Sequence, residues 1–382
     1  MGIYVNPNNA NFQMSLNSAI YVDKSMLIAE INKLVNTDRR FVCVSRSRRF
    51  GKTMAGNMLS AYFSKGCDSR ELFKDLKIAK DPCFEKYLNK FNVIKLDVNA
   101  IFSANPPDTD IVPVFTAKIR KELHEQFPNA GIENGDGLPD CILKVYATTN
   151  ERFVIIFDEY DVLVREQVKD SVFKPYLAFL NAMFKNADLS PAIALAYLTG
   201  ILPIVRDKIQ SKLNVFKEYT MADSGRLAEF VGFTINEVQA LCRDYKMDIE
   251  ECKRWYDGYN IDGIEIYNPK SIVESMDCGK YKSYWTQTGS YEALKSYILM
   301  DFDGILQDVK TMIGGGSVDV NVDSYLNTMT DFHGKDDVFA YLIHLGYLAY
   351  NEETKQCYIP NREVREQWVF SIQQSPDYKS DD

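Results

Sequence analysis

The residues best suited to chemistry in this chain are Gly51-Lys52-Thr53 and, further along, Asp158-Glu159. The first three complete the pattern G-x-x-x-x-G-K-[ST], a loop that binds phosphate with its backbone as much as with its side chains. Gly51 lets the backbone approach an anion, and the Lys52 ammonium can stand between β- and γ-phosphates. Thr53 can ligate Mg²⁺, and a helix starting here aims its first amides at the phosphates. Arg46 replaces the first glycine, so a side chain stands where such a loop ordinarily has none. Residues expected to line a bound ATP are therefore Arg46, Ser47, Arg48, Arg49, Phe50, Gly51, Lys52, Thr53 and Met54. The bland counterpart is a chance Gly-Lys-Thr ahead of a surface helix.

The acidic pair weighs against that counterpart. Residues 153–157 are an unbroken apolar run that leads straight into Asp158-Glu159. In a Walker B arrangement the Asp holds the hydrated Mg²⁺ and the adjacent Glu polarises the attacking water. Acids also favour helix N-termini through the dipole, but a second element at this point in the chain favours the catalytic reading. Thr53 and Asp158 are thus the expected metal residues, and Lys52, Glu159 and Thr199 the expected catalytic ones. Thr199 ends the next apolar run, where a polar sensor of the γ-phosphate belongs; an ordinary Thr-Gly turn fits equally well. Asp161 is expected in a solvated or capping role, and Arg206, Lys208 and Lys212 on a charged helix face rather than as an arginine finger. Arg46, Arg48 and Arg49 leave three uses open: stabilising transferred charge, pairing with acids, or touching nucleic acid.

The elements that must position these groups follow from periodicity. Short apolar runs predict strands at Phe41–Ser45, 91–98, 153–157, 192–198 and 215–221. Helices are expected at 24–35, 54–63, 114–127 and 173–184, and residues 129–139, rich in Gly, Asn and Asp, as a loop. Alternating strands and helices imply an α/β fold with a parallel sheet covered on both faces. With the sensor strand between the two phosphate-site strands, that is a three-layer αβα P-loop core of the additional-strand type. From Ala222 the pattern changes. Thr234 and Glu237 form a capping box, and 314–317 is a hinge or a tight turn. A helix at 338–344 followed by strands at 346–350 and 357–360 is the outline of a winged helix. The expected domains are a core at 20–221, a helical lid-like part at 222–300 and a winged-helix-like end at 301–382.

Bulk properties narrow the function. The chain has 382 residues, 46% hydrophobic and 25% charged, with a formal net charge of −9. That is enough apolar material for more than one core, and too acidic overall to infer binding to nucleic acid from charge. Eight cysteines without a CxxC pair, and only three histidines, argue against zinc and for reduced thiols in a cytoplasmic protein. No basic region followed by an apolar run opens the chain, and no apolar stretch nears the ~20 residues of a membrane span.

Taken together, the motifs identify a family. The chain resembles the AAA-ATPase-like family of bacterial proteins over about residues 21–365. The marks are Tyr21-Val22-Asp23-Lys24-Ser25, Arg48-Arg49-Phe50-Gly51-Lys52-Thr53, Phe157-Asp158-Glu159-Tyr160-Asp161 and Leu198-Thr199-Gly200. Further marks are Trp255-Tyr256-Asp257-Gly258-Tyr259, Tyr267-Asn268-Pro269, Tyr284-Trp285 and Thr288-Gly289. The resemblance implies an ATP-binding loop that is arginine-rich and lacks its first glycine, usually with Pro where Ser47 stands here. It places residues 21–25 upstream of the loop near the adenine, and gives 255–259 a structural role in docking the helical part. A restriction-endonuclease-like domain commonly follows in the family; this chain ends shortly after Val364, so nuclease activity is not carried over. The leading expectation is Mg²⁺-dependent ATP hydrolysis that drives domain movement on a nucleic-acid or protein partner. The runner-up is a nucleotide-dependent switch with little turnover. A third reading, DNA binding through the winged-helix-like end, runs against the acids of 331–337. No feature of the sequence sets an oligomeric state.

Overall fold

Phe153-Val154-Ile155-Ile156-Phe157 has no polar residue to face water, and in the structure, a computed structural model, it is buried throughout. Residues 2–204, 213–285, 298, 301–323, 325 and 332–373 are described. Arg206, Lys208, Lys212, Thr288 and Gly289 lie outside them. The strands of the first sheet are β1 (Phe41–Ser45), β2 (Asn92–Asp97), β3 (Phe153–Asp158), β4 (Ile193–Gly200) and β5 (Lys217–Tyr219). Their order is β2-β3-β4-β1-β5, and β2, β3 and β4 pair in parallel. β4 is therefore the added strand, inserted between the strand that leads into Gly51-Lys52-Thr53 and the strand that ends in Asp158.

Alternation sorts β3 between two helical layers. Phe153, Ile155 and Phe157 join a cluster with Phe115 and Ile119 of the helix Ile111–Gln126 and Phe179 and Phe184 of the helix Asp170–Phe184. Ile156 faces the other way, against Gly56 of the helix Lys52–Phe63, which also contacts β2 and β4. Layers on both faces make this a three-layer αβα sheet, as the alternation of elements implied.

Two helices of this region lie outside those expected from periodicity. The opening residues contain a helix, Ala10–Leu16, and residues before it pair with β2: Lys95 N–H donates to Tyr4 O at 2.8 Å and Asn6 N–H to Val93 O at 2.8 Å. The helix Leu138–Thr149 starts inside the segment read as loop, because Gly and Asn ahead of it hid its apolar face. Its buried residues are Leu138, Cys141, Ile142 and Val145.

The chain divides into two compact units, Met1–Val44 with Lys52–Glu218, and Ser45–Gly51 with Tyr219–Asp382. The second contains strands β6 (Phe233–Thr234), β7 (Tyr259–Ile261) and β8 (Ile264–Tyr267), an antiparallel sheet in the order β6-β8-β7. Within the part expected to be helical, Asp262-Gly263 makes a hairpin, both residues having positive φ (52° and 77°) as a tight two-residue turn requires. The capping box forms as predicted at the helix Ile235–Tyr245, with Thr234 N–H donating to Glu237 Oε2 at 2.8 Å.

A second small sheet has the order β10-β11-β9, from β9 (Val318–Asp319), β10 (Ala349–Asn351) and β11 (Gln356–Tyr358). The helix Lys335–Leu345 precedes the β10–β11 hairpin, matching the helix-then-hairpin outline; β9 and the helix Arg362–Gln373 are additional to it. Residues 314–316 are a tight turn that ends the helix Ile305–Ile313, with Gly315 N–H on Met312 O and Gly316 N–H on Thr311 O, each at 3.0 Å.

Candidate nucleotide-binding site

The site is assembled at the ends of β3 and β4. β3 delivers Asp158 and stops, because Glu159 turns the chain with φ of 53°. Tyr160 N–H donates to Thr199 O at 3.0 Å, which holds the end of β4 beside the acids. Asp158 is bracketed by hydroxyls: Thr53 Oγ1 donates to Oδ2 at 2.6 Å, and Thr199 Oγ1 donates to Oδ1. Glu159 N–H completes the set at 3.1 Å from Oδ1. Thr53, Asp158, Glu159 and Thr199, scattered in sequence, are thus gathered in the first unit.

Lys52 joins them at only 4% exposure. Burial pulls its ammonium pKa down, while Glu159 first, then Asp158 and Asp161, push it back up. The Glu159 carboxyl is pushed up by burial and held down by Lys52 and Arg165. A cation almost wholly removed from water beside carboxylates is suited to receive an anion of higher charge.

Asp161 does not take the solvated or capping role expected of it. It is 1% exposed and makes no cap to its helix. Its Oδ2 accepts the amides of Ile201 at 3.0 Å and Leu202 at 2.8 Å and lies 3.1 Å from Arg165 Nε. Gly200 is required by this packing, since a Cβ there would come within 2.6 Å of Asp161 Oδ1 and 2.7 Å of Tyr160 Cε1. Arg165, which no motif of the sequence marks, also forms an ion pair with Glu159. The available signal was spacing: a lone Arg four residues after Asp161 in an otherwise apolar turn.

The residues preceding Lys52 group with the second unit. Arg46 is fully buried, and its Nη1 donates to the carbonyls of Ser45 at 2.9 Å, Tyr219 at 3.2 Å and Thr220 at 2.8 Å. The side chain in place of the first glycine therefore caps backbone oxygens. Ser47 lies against Gly346, where an added Cβ would meet the Ser47 hydroxyl at 2.7 Å. Arg48 is half-buried, Arg49 is exposed with φ of 70° and donates to Tyr284 O at 3.3 Å, and Phe50 stands edge-on to Tyr259. Gly51 has φ of 91°, a conformation that favours glycine, and Met54 is 44% exposed.

Two other motifs are absorbed by packing. Asp23 Oδ2 accepts Lys77 N–H at 2.8 Å and Ser25 Oγ accepts Ile78 N–H at 3.1 Å. Tyr259 donates to Gly346 O at 2.6 Å, Tyr358 to Gly258 O at 2.9 Å, and Arg362 lies over the Trp255 ring at 4.2 Å. These contacts of 255–259 run to residues 346–362 of the same unit; others reach Phe50, Tyr281 and Lys282.

An αβα sheet with an added strand between the phosphate-loop strand and the acidic strand defines the P-loop NTPase class. Within it, the sequence matches the family described as predicted AAA-ATPase over residues 10–210, and the chain belongs to that family. A curated relative, an uncharacterised protein in the vnfD 5′ region of Azotobacter chroococcum mcd 1, is 24% identical over 262 residues. The match covers 65% of this chain but 47% of that protein, about half its length. Among solved structures, the ORC2 protein of Aeropyrum pernix (ADPNP and ADP complexes) is 12% identical, covering 97% of this chain and 93% of that one at a TM-score of 0.38. The replication initiator DnaA bound to AMPPCP and single-stranded DNA is 10% identical over 95% and 91%, TM-score 0.33. Cdc6p of Pyrobaculum aerophilum is 9% identical over 98% and 99%, TM-score 0.32. These are distant likenesses.

Proposed function

We propose that this chain binds ATP with Mg²⁺ and hydrolyses it, and that the cycle of binding and hydrolysis rearranges its parts on a nucleic-acid or protein partner. The observation that carries the reading is the bracketing of Asp158 by the hydroxyls of Thr53 and Thr199, with Lys52 and Glu159 beside it. A hydroxyl and a carboxylate oxygen 2.6 Å apart are the hard donors Mg²⁺ prefers, and the ion ordinarily takes its remaining positions from water and phosphate. When bound, Mg²⁺ supplies charge stabilisation at the phosphoryl oxygens.

In this scheme the Lys52 ammonium leaves its carboxylates for the β- and γ-phosphates. Thr53 and Asp158 orient the metal's shell, Thr199 donates to the γ-phosphate or the water, and Glu159 accepts a proton from that water. Eight free thiols fit a reducing compartment, so we assign the protein to the cytoplasm. A second reading, a switch that binds ATP and turns over little, is favoured by the ion pair that already occupies Glu159.

Single-turnover hydrolysis by wild type, Glu159→Gln and Lys52→Ala tests both. We expect Lys52→Ala to lose nucleotide binding, measured as the ATP-induced shift in melting temperature, and Glu159→Gln to keep binding but hydrolyse at least ~100-fold more slowly. Wild type that binds ATP yet turns over no faster than Glu159→Gln gives the switch.

A further inference from the structure

We propose that Arg165 is a positioning residue for Glu159, and that Asp161 ties this pair to the turn that follows Thr199. The inference rests on Glu159 being the base of the reaction proposed above. Three observations carry it. Arg165 is anchored before it reaches Glu159: its Nε lies 3.1 Å from Asp161 Oδ2, and that oxygen also accepts the amides of Ile201 and Leu202. Its terminal Nη2 is the group that pairs with Glu159 Oε2. The whole arrangement is nearly sealed from water, with side-chain exposures of 3% for Arg165, 1% for Asp161 and 22% for Glu159.

A guanidinium held at one end by a carboxylate that is itself fixed by two backbone amides presents its other end in a set direction. It commits Oε2 of Glu159, which leaves Oε1 to face the attacking water. Among the described residues, two cations act on Glu159, Lys52 and Arg165. Once Lys52 has moved to the phosphates, Arg165 is the one of these two left to orient the base. The same chain of contacts makes Glu159 responsive to the end of β4. Ile201 and Leu202 follow directly on Thr199-Gly200, so a shift of the sensor strand alters the amides that hold Asp161 and, through Arg165, turns the Glu159 carboxylate.

A purely structural ion pair would have the same geometry but different consequences, and the two are separated by dividing binding from turnover. Arg165→Gln, Arg165→Lys and Asp161→Asn are compared with wild type for affinity toward a fluorescent ATP analogue with Mg²⁺ and for single-turnover hydrolysis at saturating ATP. The positioning role gives Arg165→Gln an affinity within about twofold of wild type and a rate about 10- to 100-fold lower, the usual effect of losing an orienting partner. Arg165→Lys recovers part of the rate, and Asp161→Asn slows it with Arg165 still present. Wild-type rates in Arg165→Gln, or equal losses of affinity and rate in all three variants, overturn the proposal. A double-mutant cycle between Arg165→Gln and Glu159→Gln, read as the urea unfolding midpoint, needs no activity. If wild type binds ATP but never hydrolyses it, the ATPase reading fails on its own; additive midpoint shifts in the cycle would then overturn the pairing, and non-additive shifts would retain it.

Discussion

Glu363 shows at the scale of one residue what burial does to a carboxyl outside the nucleotide site. It is 1% exposed, accepting the Ser271 hydroxyl at 2.8 Å and Tyr284 N–H at 2.6 Å. Burial pushes its pKa up to about 7, against the pull of Ser271, the Tyr284 and Trp285 amides and the Arg49 charge. A carboxyl whose folded pKa is raised favours the fold while protonated. Its contribution is therefore fully present below the unfolded value of about 4.5 and is lost as pH rises through 7. We predict that stability declines between pH 5 and 8 by up to roughly 3 kcal/mol from this group, and that Glu363→Gln flattens the decline in urea melts across that range. A Gln variant whose decline matches wild type would place the titration elsewhere. Nothing in the sequence around Asn361-Arg362-Glu363-Val364 marks this carboxyl as buried, because a Glu in the first turn of a helix is ordinarily a solvated one. The same holds for Asp161 and Arg165: their types were legible, their burial was not.

At the scale of elements, the strands were easier to read than their company. β1, β3 and β4 are continuous apolar runs because both faces of the sheet are covered, and such runs are visible without any structure. The β7–β8 hairpin was missed although Asp262-Gly263 is a strong turn signal, since strands of three and four residues offer too little alternation to register. Thr199-Gly200 could be read as a mere turn, yet both residues belong to β4 and neither is interchangeable. Thr199 bonds Asp158, and Gly200 leaves room for Asp161. Gly200→Ala should therefore destabilise the first unit by about 1–3 kcal/mol, the usual effect of overpacking a tight core. Because the crowding falls on Asp161, it should also slow ATP hydrolysis more than it weakens ATP binding. Equal stability and rate to wild type would show that the strand end gives way at no cost.

For the molecule as a whole, charge bears on which partner the second unit takes. The helix Lys335–Leu345 that precedes the terminal hairpin opens with Lys335-Asp336-Asp337, and its one lysine in that turn pairs with Asp308 at 2.8 Å. With a net charge of −9 for the chain, few cations remain on this helix start to neutralise phosphates. We predict no retention of duplex DNA at physiological salt in a titration across ionic strength, which would direct the search toward a protein partner. Retention that falls steeply with salt would instead assign nucleic acid and support the winged-helix reading of this end. Among the described residues no helix is long and apolar enough to cross a membrane.

By itself the sequence determined the local chemistry: a strand that runs into Gly51-Lys52-Thr53, a second that runs into Asp158-Glu159, and the alternation of helices and strands around them. These features are contiguous or periodic, so covalent order and burial preference suffice to specify them. The expected place of the Thr199 strand, between β1 and β3, is the one it takes; only the tertiary structure decided that Thr53 and Thr199 meet on one carboxylate, and that Arg46 turns onto the carbonyls of Tyr219 and Thr220. Each of those outcomes joins residues far apart in the chain. Such contacts are selected by competition among all the surfaces that could cover one another and all the partners a buried charge could find, and no local pattern records which of them wins.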